Sequence, residues 1–206
     1  MHFKLDVFDQ EKFKQSKIDF YVVMTNVESG KPEYVLIKDV FKQMEYLRAT
    51  SALPFASKII EINGKKYLDG GISDSIPIDF CESLGYDKII AVLTRPEGTY
   101  KEDKLGFLYK LVYRKYPNLV KSLLNMATDY EKVLAKIKDL ENKGKIFVVR
   151  PPEVLKIGRL EKNRDKIQKV YLFYCNGSFC RSCNYHLHSF KHIIYGYGTP
   201  PNDWGI

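Results

Sequence analysis

Short apolar runs separated by turn residues dominate the first hundred positions of the chain. Residues 17–24, KIDFYVVM, are β-branched and aromatic, which predicts a short buried strand. The segment after it contains Gly30 and Pro32, which mark a turn, and YVLI beyond the turn predicts the returning strand. Residues 88–94, KIIAVLT, are apolar almost throughout, as strands inside a parallel sheet usually are.

Other segments repeat their apolar residues with helical spacing. Residues 39–47 show this period and predict a helix that ends before Pro54, because the residue before a proline disfavours helical geometry. The same period runs through residues 104–142, where Pro117 either begins a new helix or kinks the old one. KIFVVRP after Gly144 predicts a further strand, and LEKNRDKIQKVY begins another helix.

The segment KIIEINGKKYL contains the clearest local signal in the chain. Two short strands flank Asn63 and Gly64, a pair that tolerates positive φ in a tight hairpin turn. The second strand runs directly into Asp69, which is followed by Gly70 and Gly71. A catalytic or binding residue is often placed in this way, just beyond the end of a strand.

A short helix is predicted after this motif. Asp74 or Ser75 can cap it, Pro77 suits its first turn, and Gly85 suits the position after its end. Helices and buried strands therefore alternate along the chain, which predicts an α/β fold. In such folds function gathers at the loops beyond the carboxyl ends of strands, where Asp69 is expected to lie.

Two interpretations of Asp69 remain open on spacing alone. Aspartate before two glycines is common turn chemistry, in which the carboxylate accepts hydrogen bonds from its own turn. A carboxylate in the same place can also accept a proton from a nucleophile on a neighbouring loop. Gly70 and Gly71 allow the backbone to approach another group closely or to adopt positive φ.

Composition and charge limit which kinds of protein this chain can be and which partners it can bind. With 206 residues and 45% hydrophobic residues, the chain can build one domain with a real core. Its net charge of +8 suggests an anionic partner, but the charges are spread along the chain, which favours a solvated lysine-rich surface.

No nucleic-acid-binding module is recognisable, so we expect no nucleic-acid partner. The basic, amphipathic segment 101–145 leaves open a membrane surface, although a helix covering the sheet is favoured.

No apolar run approaches the length that spans a bilayer, and the mixed, charged start does not resemble a signal peptide. These two observations predict a cytoplasmic protein, with peripheral attachment to a membrane left open.

The last 36 positions differ in composition from the rest of the chain. Residues 171–206 contain three charged residues, whereas residues 1–170 contain the other 55, and no helical or strand period continues through this tail. We therefore divide the chain into a domain at 1–170 and an atypical tail at 171–206. A frameshift or an unrelated junction would produce such a tail, which we expect to be disordered or accidental.

The same tail is rich in residues that bind metals. Thiolates and imidazoles suit zinc or an iron–sulfur cluster, but the spacing matches no zinc-finger template. We therefore favour an accidental cluster over a metal site. The candidate ligands are Cys175, Cys180, Cys183, His186, His188 and His192.

The stretch RATSALPFASKIIEINGKKYLDGGISDSIPID resembles the patatin-like phospholipase family. ATSALP at residues 49–54 resembles the small-residue segment near the family's active site. A short hairpin follows, then DGG, then IPI. The resemblance covers about residues 9–170 and implies part of a three-layer α/β/α domain. By this resemblance the N-terminal strand–elbow–helix portion is missing, about one hundred residues for an ordinary hydrolytic domain.

The resemblance also implies a chemistry. The family hydrolyses lipid acyl esters with a Ser–Asp dyad, which needs no metal or other cofactor. Asp69 corresponds to the dyad aspartate, and Gly70 and Gly71 shape its loop. The family's serine lies in a G-x-S-x-G elbow, and a glycine-rich loop binds the oxyanion.

This chain contains neither the elbow nor the oxyanion loop. The segment from Gly71 to Ser75 fails the elbow pattern at its last position. Ser51 and Ser73 lie near the aspartate motif in sequence, but neither is in an elbow, so both are expected to be turn or cap residues. We expect a chain that is inactive alone, with a partner chain supplying the N-terminal half. The alternatives are a non-catalytic fragment and a basic protein that binds a membrane or a partner.

Overall fold

The computed structural model describes residues 8–86, 88–96, 105–151, 162–175 and 193–196. Helices are interspersed among strands and hairpins along the chain, which confirms the predicted α/β class. The strands are β1 (Phe20–Asn26), β2 (Pro32–Ile37), β3 (Ile60–Ile62), β4 (Lys65–Asp69), β5 (Ile89–Leu93), β6 (Ile146–Val149) and β7 (Ile193–Gly196). The helices are α1 (Gln10–Gln15), α2 (Met44–Thr50), α3 (Ile78–Ser83), α4 (Gly106–Val112), α5 (Pro117–Asn142) and α6 (Arg164–Cys175).

The first sheet is antiparallel, with the strand order β2-β1-β4-β3. It is built from two hairpins whose inner strands pair with each other, so that Met24 of β1 lies opposite Asp69 of β4. Both hairpins were predicted from the sequence. In the tighter one, Asn63 and Gly64 have φ values of 51° and 76°, as a turn of this kind requires.

The second sheet is parallel, with the strand order β6-β5-β7. This arrangement confirms the interpretation of residues 88–94 as a strand of a parallel sheet. Helix α5 packs against the sheet through a buried cluster that includes Ile89, Leu93, Ile137 and Ile146. The apolar run of β5 is explained by its central position in the sheet.

A second core lies between the antiparallel sheet and helices α4 and α5. Pro117 occupies the first turn of α5, which confirms that a new helix begins there. The buried members of this core are Val27, Ala52, Leu68, Ile72, Tyr109, Tyr113, Leu119 and Leu123. Helices α4 and α5 therefore cover the face of the sheet that carries the Leu68 side chain, and Ile72 lies in the same core.

The turn between β1 and β2 is fixed to the start of α5. The Asn118 side-chain amide donates to the carbonyl of Glu28 over 2.9 Å, and the Ser122 hydroxyl donates to the carbonyl of Gly30 over 2.7 Å. Gly30 has a φ of 69°, and a Cβ there would lie 2.5 Å from the Asn118 carbonyl oxygen. Only glycine fits this close approach.

The predicted helix at 39–47 is wrong in its bounds, because α2 begins only at Met44. Side chains hold the preceding residues in turns instead. The Asp39 carboxylate accepts from the backbone N–H of Lys42, and the Gln43 side-chain oxygen accepts from the N–H groups of Lys38 and Asp39. Such local bonds compete with helix formation.

The predicted cap of α3 is also wrong. Neither Asp74 nor Ser75 caps this helix, whose N-cap residue is Pro77 without a side-chain bond. The Ser75 hydroxyl donates to the carbonyl of Gly71 over 2.6 Å, and Asp74 accepts from the hydroxyl of Tyr34. Gly85 has a φ of 74°, which confirms its place just beyond the end of the helix.

Among the helices that the structure describes, none is both long and apolar enough to cross a bilayer. Helix α6 crosses the predicted boundary at residue 171, and β7 lies within the tail. The remainder of the tail lies outside the described residues. The replacement of a normal C-terminus by this tail stays a prediction.

Candidate functional site

Asp69 is the last residue of β4 and begins a 3₁₀ turn at Gly70–Ile72. Two hydrogen bonds from different parts of the chain hold its backbone. Its N–H donates to the carbonyl of Ala52 over 3.0 Å, and its carbonyl accepts from the hydroxyl of Thr25 over 2.7 Å. The residue therefore lies at the carboxyl end of its strand, as the sequence predicts, in a position fixed by its neighbours.

The half-buried Asp69 carboxylate is oriented by its own turn. Its Oδ1 atom accepts from the backbone N–H of Gly71 over 2.8 Å. The turn interpretation of Asp69 is therefore confirmed. The same hydrogen bond defines the direction of the carboxylate, so turn chemistry and a role as base are compatible.

Gly70 brings the motif against the central strand of the antiparallel sheet. A Cβ on this buried residue would lie 2.2 Å from the carbonyl oxygen of Val23 and 2.6 Å from its carbonyl carbon. Real side chains do not tolerate such distances. The sequence predicted either close approach or positive φ, and the structure shows close approach at Gly70.

Thr25 is a residue of the site that sequence reasoning missed. It is 0% exposed, and its Oγ1 lies 2.7 Å from the Asp69 carbonyl and 2.8 Å from Ser73 Oγ. Because Thr25 has one hydroxyl hydrogen and gives it to Asp69, Ser73 donates to Thr25. A threonine in a strand carries no local signal of a partner 44 positions away.

The two serines near the motif have structural roles, as the sequence predicts. Ser73 follows the 3₁₀ turn, and its hydroxyl donates a hydrogen bond to Thr25. Ser51 follows α2, and its hydroxyl donates to the carbonyls of Leu47 and Arg48. These are the bonds expected of turn and cap residues rather than of an activated nucleophile.

Helix α4 fixes the segment that supplies Ala52. Phe55 has a φ of 64°, and its N–H donates to the hydroxyl of Tyr113 over 3.0 Å. Its ring stacks on Tyr109 with 5.2 Å between centroids. Tyr109 of α4 and Tyr113 just beyond it thus stabilise an uncommon backbone conformation three residues from the carbonyl that binds Asp69.

A second carboxylate, Asp74, lies five positions after Asp69 but makes its hydrogen bond to a different part of the chain. Its Oδ2 atom accepts from the hydroxyl of Tyr34 over 2.5 Å, and the Tyr34 ring stacks on Phe80 at 4.0 Å. Burial is the largest cause of a raised pKa at Asp74, and the charge of Asp79 adds to it. Burial, followed by the charge of Asp74, raises the pKa of the Cys81 thiol to about 11.

Asp74 is expected to make the protein less stable as the pH rises. Because its folded-state pKa is raised above the ordinary 3.8, the folded chain binds more protons than the unfolded chain in the window above that value. The contribution of Asp74 to stability is therefore greatest below this window and falls as the pH rises through it. In Asp74→Asn the amide oxygen still accepts from Tyr34, so we expect this fall to diminish. Thermal unfolding of both proteins from acidic to neutral pH measures the effect; parallel curves would contradict it.

No metal site is found among the described residues, where no three of His, Cys, Asp and Glu are grouped for one ion. Cys175 ends α6. The other candidate ligands, Cys180, Cys183, His186, His188 and His192, lie outside the described residues. A metal site in the tail therefore stays an untested alternative.

Two family models match different parts of the chain. Residues 5–81, which contain the antiparallel sheet and Asp69, match the model described as patatin-like phospholipase. Residues 116–173, which contain α5 and β6, match a model described as a domain of unknown function, DUF6363. The hydrogen bonds of Asn118 and Ser122 to the β1–β2 turn join these two matched parts.

Two curated relatives are similar to parts of the chain. The uncharacterized protein YjjU of Escherichia coli K12 is 28% identical over 144 residues, which cover 66% of this chain and 39% of that protein. Lysophospholipase nte1 of Aspergillus fumigatus is 32% identical over 85 residues, which cover 41% of this chain and 5% of that protein. The match thus spans less than half of either relative. Through residues 5–81, this chain resembles the patatin-like phospholipase family.

Proposed function

We propose that this chain supplies the general base of a lipid acyl hydrolase, with Asp69 as the aspartate of a Ser–Asp dyad. The observation that carries the proposal is the immobilised carboxylate at the end of β4. Its backbone N–H donates one hydrogen bond, and its backbone carbonyl and Oδ1 each accept one, within a segment that matches the patatin-like phospholipase model. A base held in one orientation suits proton transfer, because little reorganisation is needed in the reaction.

In the proposed reaction, Asp69 accepts the hydroxyl proton of a serine as the serine oxygen attacks an acyl ester carbonyl. The proton then passes to the departing alkoxide, and an acyl-serine remains. In the second step Asp69 accepts a proton from water, and the water oxygen attacks the acyl carbonyl. The bond between the acyl carbon and the serine oxygen then breaks, Asp69 returns the proton to the serine oxygen, and the acid is released. Gly70 and Gly71 keep the loop in place, and no metal or cofactor takes part.

The serine is proposed to lie outside these 206 residues, because they contain no G-x-S-x-G sequence. Neither Ser51 nor Ser73 is a good substitute, since the hydroxyl hydrogen of each is directed to another acceptor. Members of a catalytic dyad act as a unit, so Asp69 alone should give no appreciable hydrolysis. The name of the fungal relative makes lysophospholipids the natural class of substrate to assay first.

The test compares turnover by these 206 residues alone with turnover by the pair that they form with a polypeptide bearing G-x-S-x-G, namely the matching N-terminal part of a patatin-like phospholipase. A short-chain p-nitrophenyl ester and a lysophospholipid are the substrates. We expect background rates for the chain alone and clear turnover for the pair. The control is the pair in which the elbow serine is changed to alanine.

Two outcomes would contradict the proposal. Turnover by the chain alone would mean that the nucleophile lies within these residues, and Ser51→Ala and Ser73→Ala would then identify it. A stable pair that shows no turnover of either substrate would contradict hydrolysis itself and favour a non-catalytic fragment.

A further inference from the structure

Apolar side chains on α4 and the adjoining turn of α5 are exposed to solvent. Phe107 is 78% exposed and Leu111 56% exposed, which is unusual for large apolar residues. Leu124 of α5 continues the patch, because a Cβ at Gly106 would lie 3.1 Å from its Cδ2 atom. The α4 surface is defined here as Phe107, Leu108, Leu111, Val112 and Leu124.

Among the residues that the structure describes, helix α4 contacts the core through one narrow face. Tyr109 is buried in the core and Tyr113, just beyond the last turn, is buried beside it, at the helical spacing of four residues. The other large side chains of the helix point away from this core and are exposed. The α4 surface is therefore an exposed apolar face on a short helix that its tyrosine side anchors.

The charged residues between positions 105 and 128, which include this surface, have one sign. Residues 105–128 contain four basic residues and no aspartate or glutamate. The basic residues are Lys110, Arg114, Lys115 and Lys121, and all four are exposed. Within the described part of the chain none of them forms an ion pair, although acidic and basic side chains pair freely elsewhere, as in Lys136 with Glu82. The positive charge is thus available to a partner.

We propose that the α4 surface docks on an anionic lipid bilayer. Phe107 and Leu111 enter the boundary between the headgroups and the acyl chains, and the four basic side chains contact lipid phosphates. The combination of protruding apolar side chains with unpaired positive charge fits a bilayer better than an ordinary protein contact, because both components occur together at a lipid surface. The proposal does not require hydrolysis, so it can fail or succeed independently of the proposed function.

Docking in this orientation has a consequence for the site. Tyr113 and Tyr109 hold Phe55, and Ala52 in the same segment holds the backbone of Asp69. The α4 surface is therefore linked by direct contacts to the loop that carries the proposed base. Binding to a bilayer would bring this side of the protein, rather than the opposite one, to the lipid.

The experiment is co-sedimentation of the full chain with vesicles of phosphatidylcholine, with and without phosphatidylglycerol. We expect binding that requires phosphatidylglycerol and weakens as salt is added. The variant Phe107→Ser with Leu111→Ser should bind at least about tenfold more weakly. The variant Lys110→Gln with Lys115→Gln should lose about fivefold for each charge removed.

Matched variants control for apolar exposure and net charge elsewhere. Ile18 and Phe41 are 75% and 61% exposed, so Ile18→Ser with Phe41→Ser removes similar apolar area from another place. Lys17→Gln with Lys145→Gln removes the same charge. These controls should bind as the unchanged chain does. Equal losses in the controls, binding without phosphatidylglycerol, or no binding at all would overturn the proposal, and no binding would favour an acidic protein partner.

Discussion

Asp69→Asn is expected to lower ester turnover in the complemented hydrolase by about 10²–10⁴-fold, the usual loss when a general base is removed. Asparagine has nearly the shape of aspartate, and its side-chain oxygen can still accept from the N–H of Gly71. The backbone bonds of Asp69 to Ala52 and Thr25 do not involve the side chain and should persist. The expected loss therefore reports the missing base and not a displaced loop.

Asp74→Asn is the matched control, because it also removes one carboxylate from the same segment. Asp74 is paired with Tyr34 and has no proposed part in the reaction, so turnover should change little. The measurement is kcat on the p-nitrophenyl ester for both variants, with thermal unfolding to verify that each is folded. Full activity in Asp69→Asn would contradict the role of Asp69 as the base.

Gly70→Ala is expected to lower the free energy of unfolding by about 3 kcal/mol or more, the range for severe overpacking. The added Cβ would lie 2.2 Å from the carbonyl oxygen of Val23. Since the obstacle is the backbone of β1, a change of side-chain rotamer cannot remove it. Strand β1 pairs with both β2 and β4, so moving it disturbs most of the sheet.

Gly64→Ala separates this clash from the general cost of replacing a glycine. Gly64 has a φ of 76° but no atom within 4 Å of an added Cβ, so only backbone strain of about 1 kcal/mol is expected. Urea unfolding of the two variants and the unchanged chain gives the comparison. Equal losses at both positions would contradict the close approach of Gly70 to Val23.

Local chemistry was sufficient to predict several elements. The pair Asn63 and Gly64 specifies a tight turn, because both residues tolerate positive φ, and the hairpin forms there. Pro117 begins a helix because its missing N–H has no partner at that position anyway. Each prediction depends on residues within a few positions of each other.

Local reasoning failed where side chains competed for the same backbone groups. The start of α2 was predicted too early, because Asp39 and Gln43 bind N–H groups in a turn. Asp74 and Ser75 have the right chemistry for a cap, but Tyr34 and Gly71 engage them instead. Tyr34 lies 40 positions from Asp74, so no local pattern could reveal that contact.

The sequence by itself determined the α/β class, the hairpin that precedes Asp69, and the family resemblance of the motif around it. Only the tertiary structure decided what holds this motif, namely Thr25 on its carbonyl, Ala52 on its N–H and Val23 against Gly70. It also decided which face of α4 is left exposed. The physical reason is that turns and helix ends depend on neighbouring residues, whereas these contacts depend on how strands and helices distant in the chain pack together.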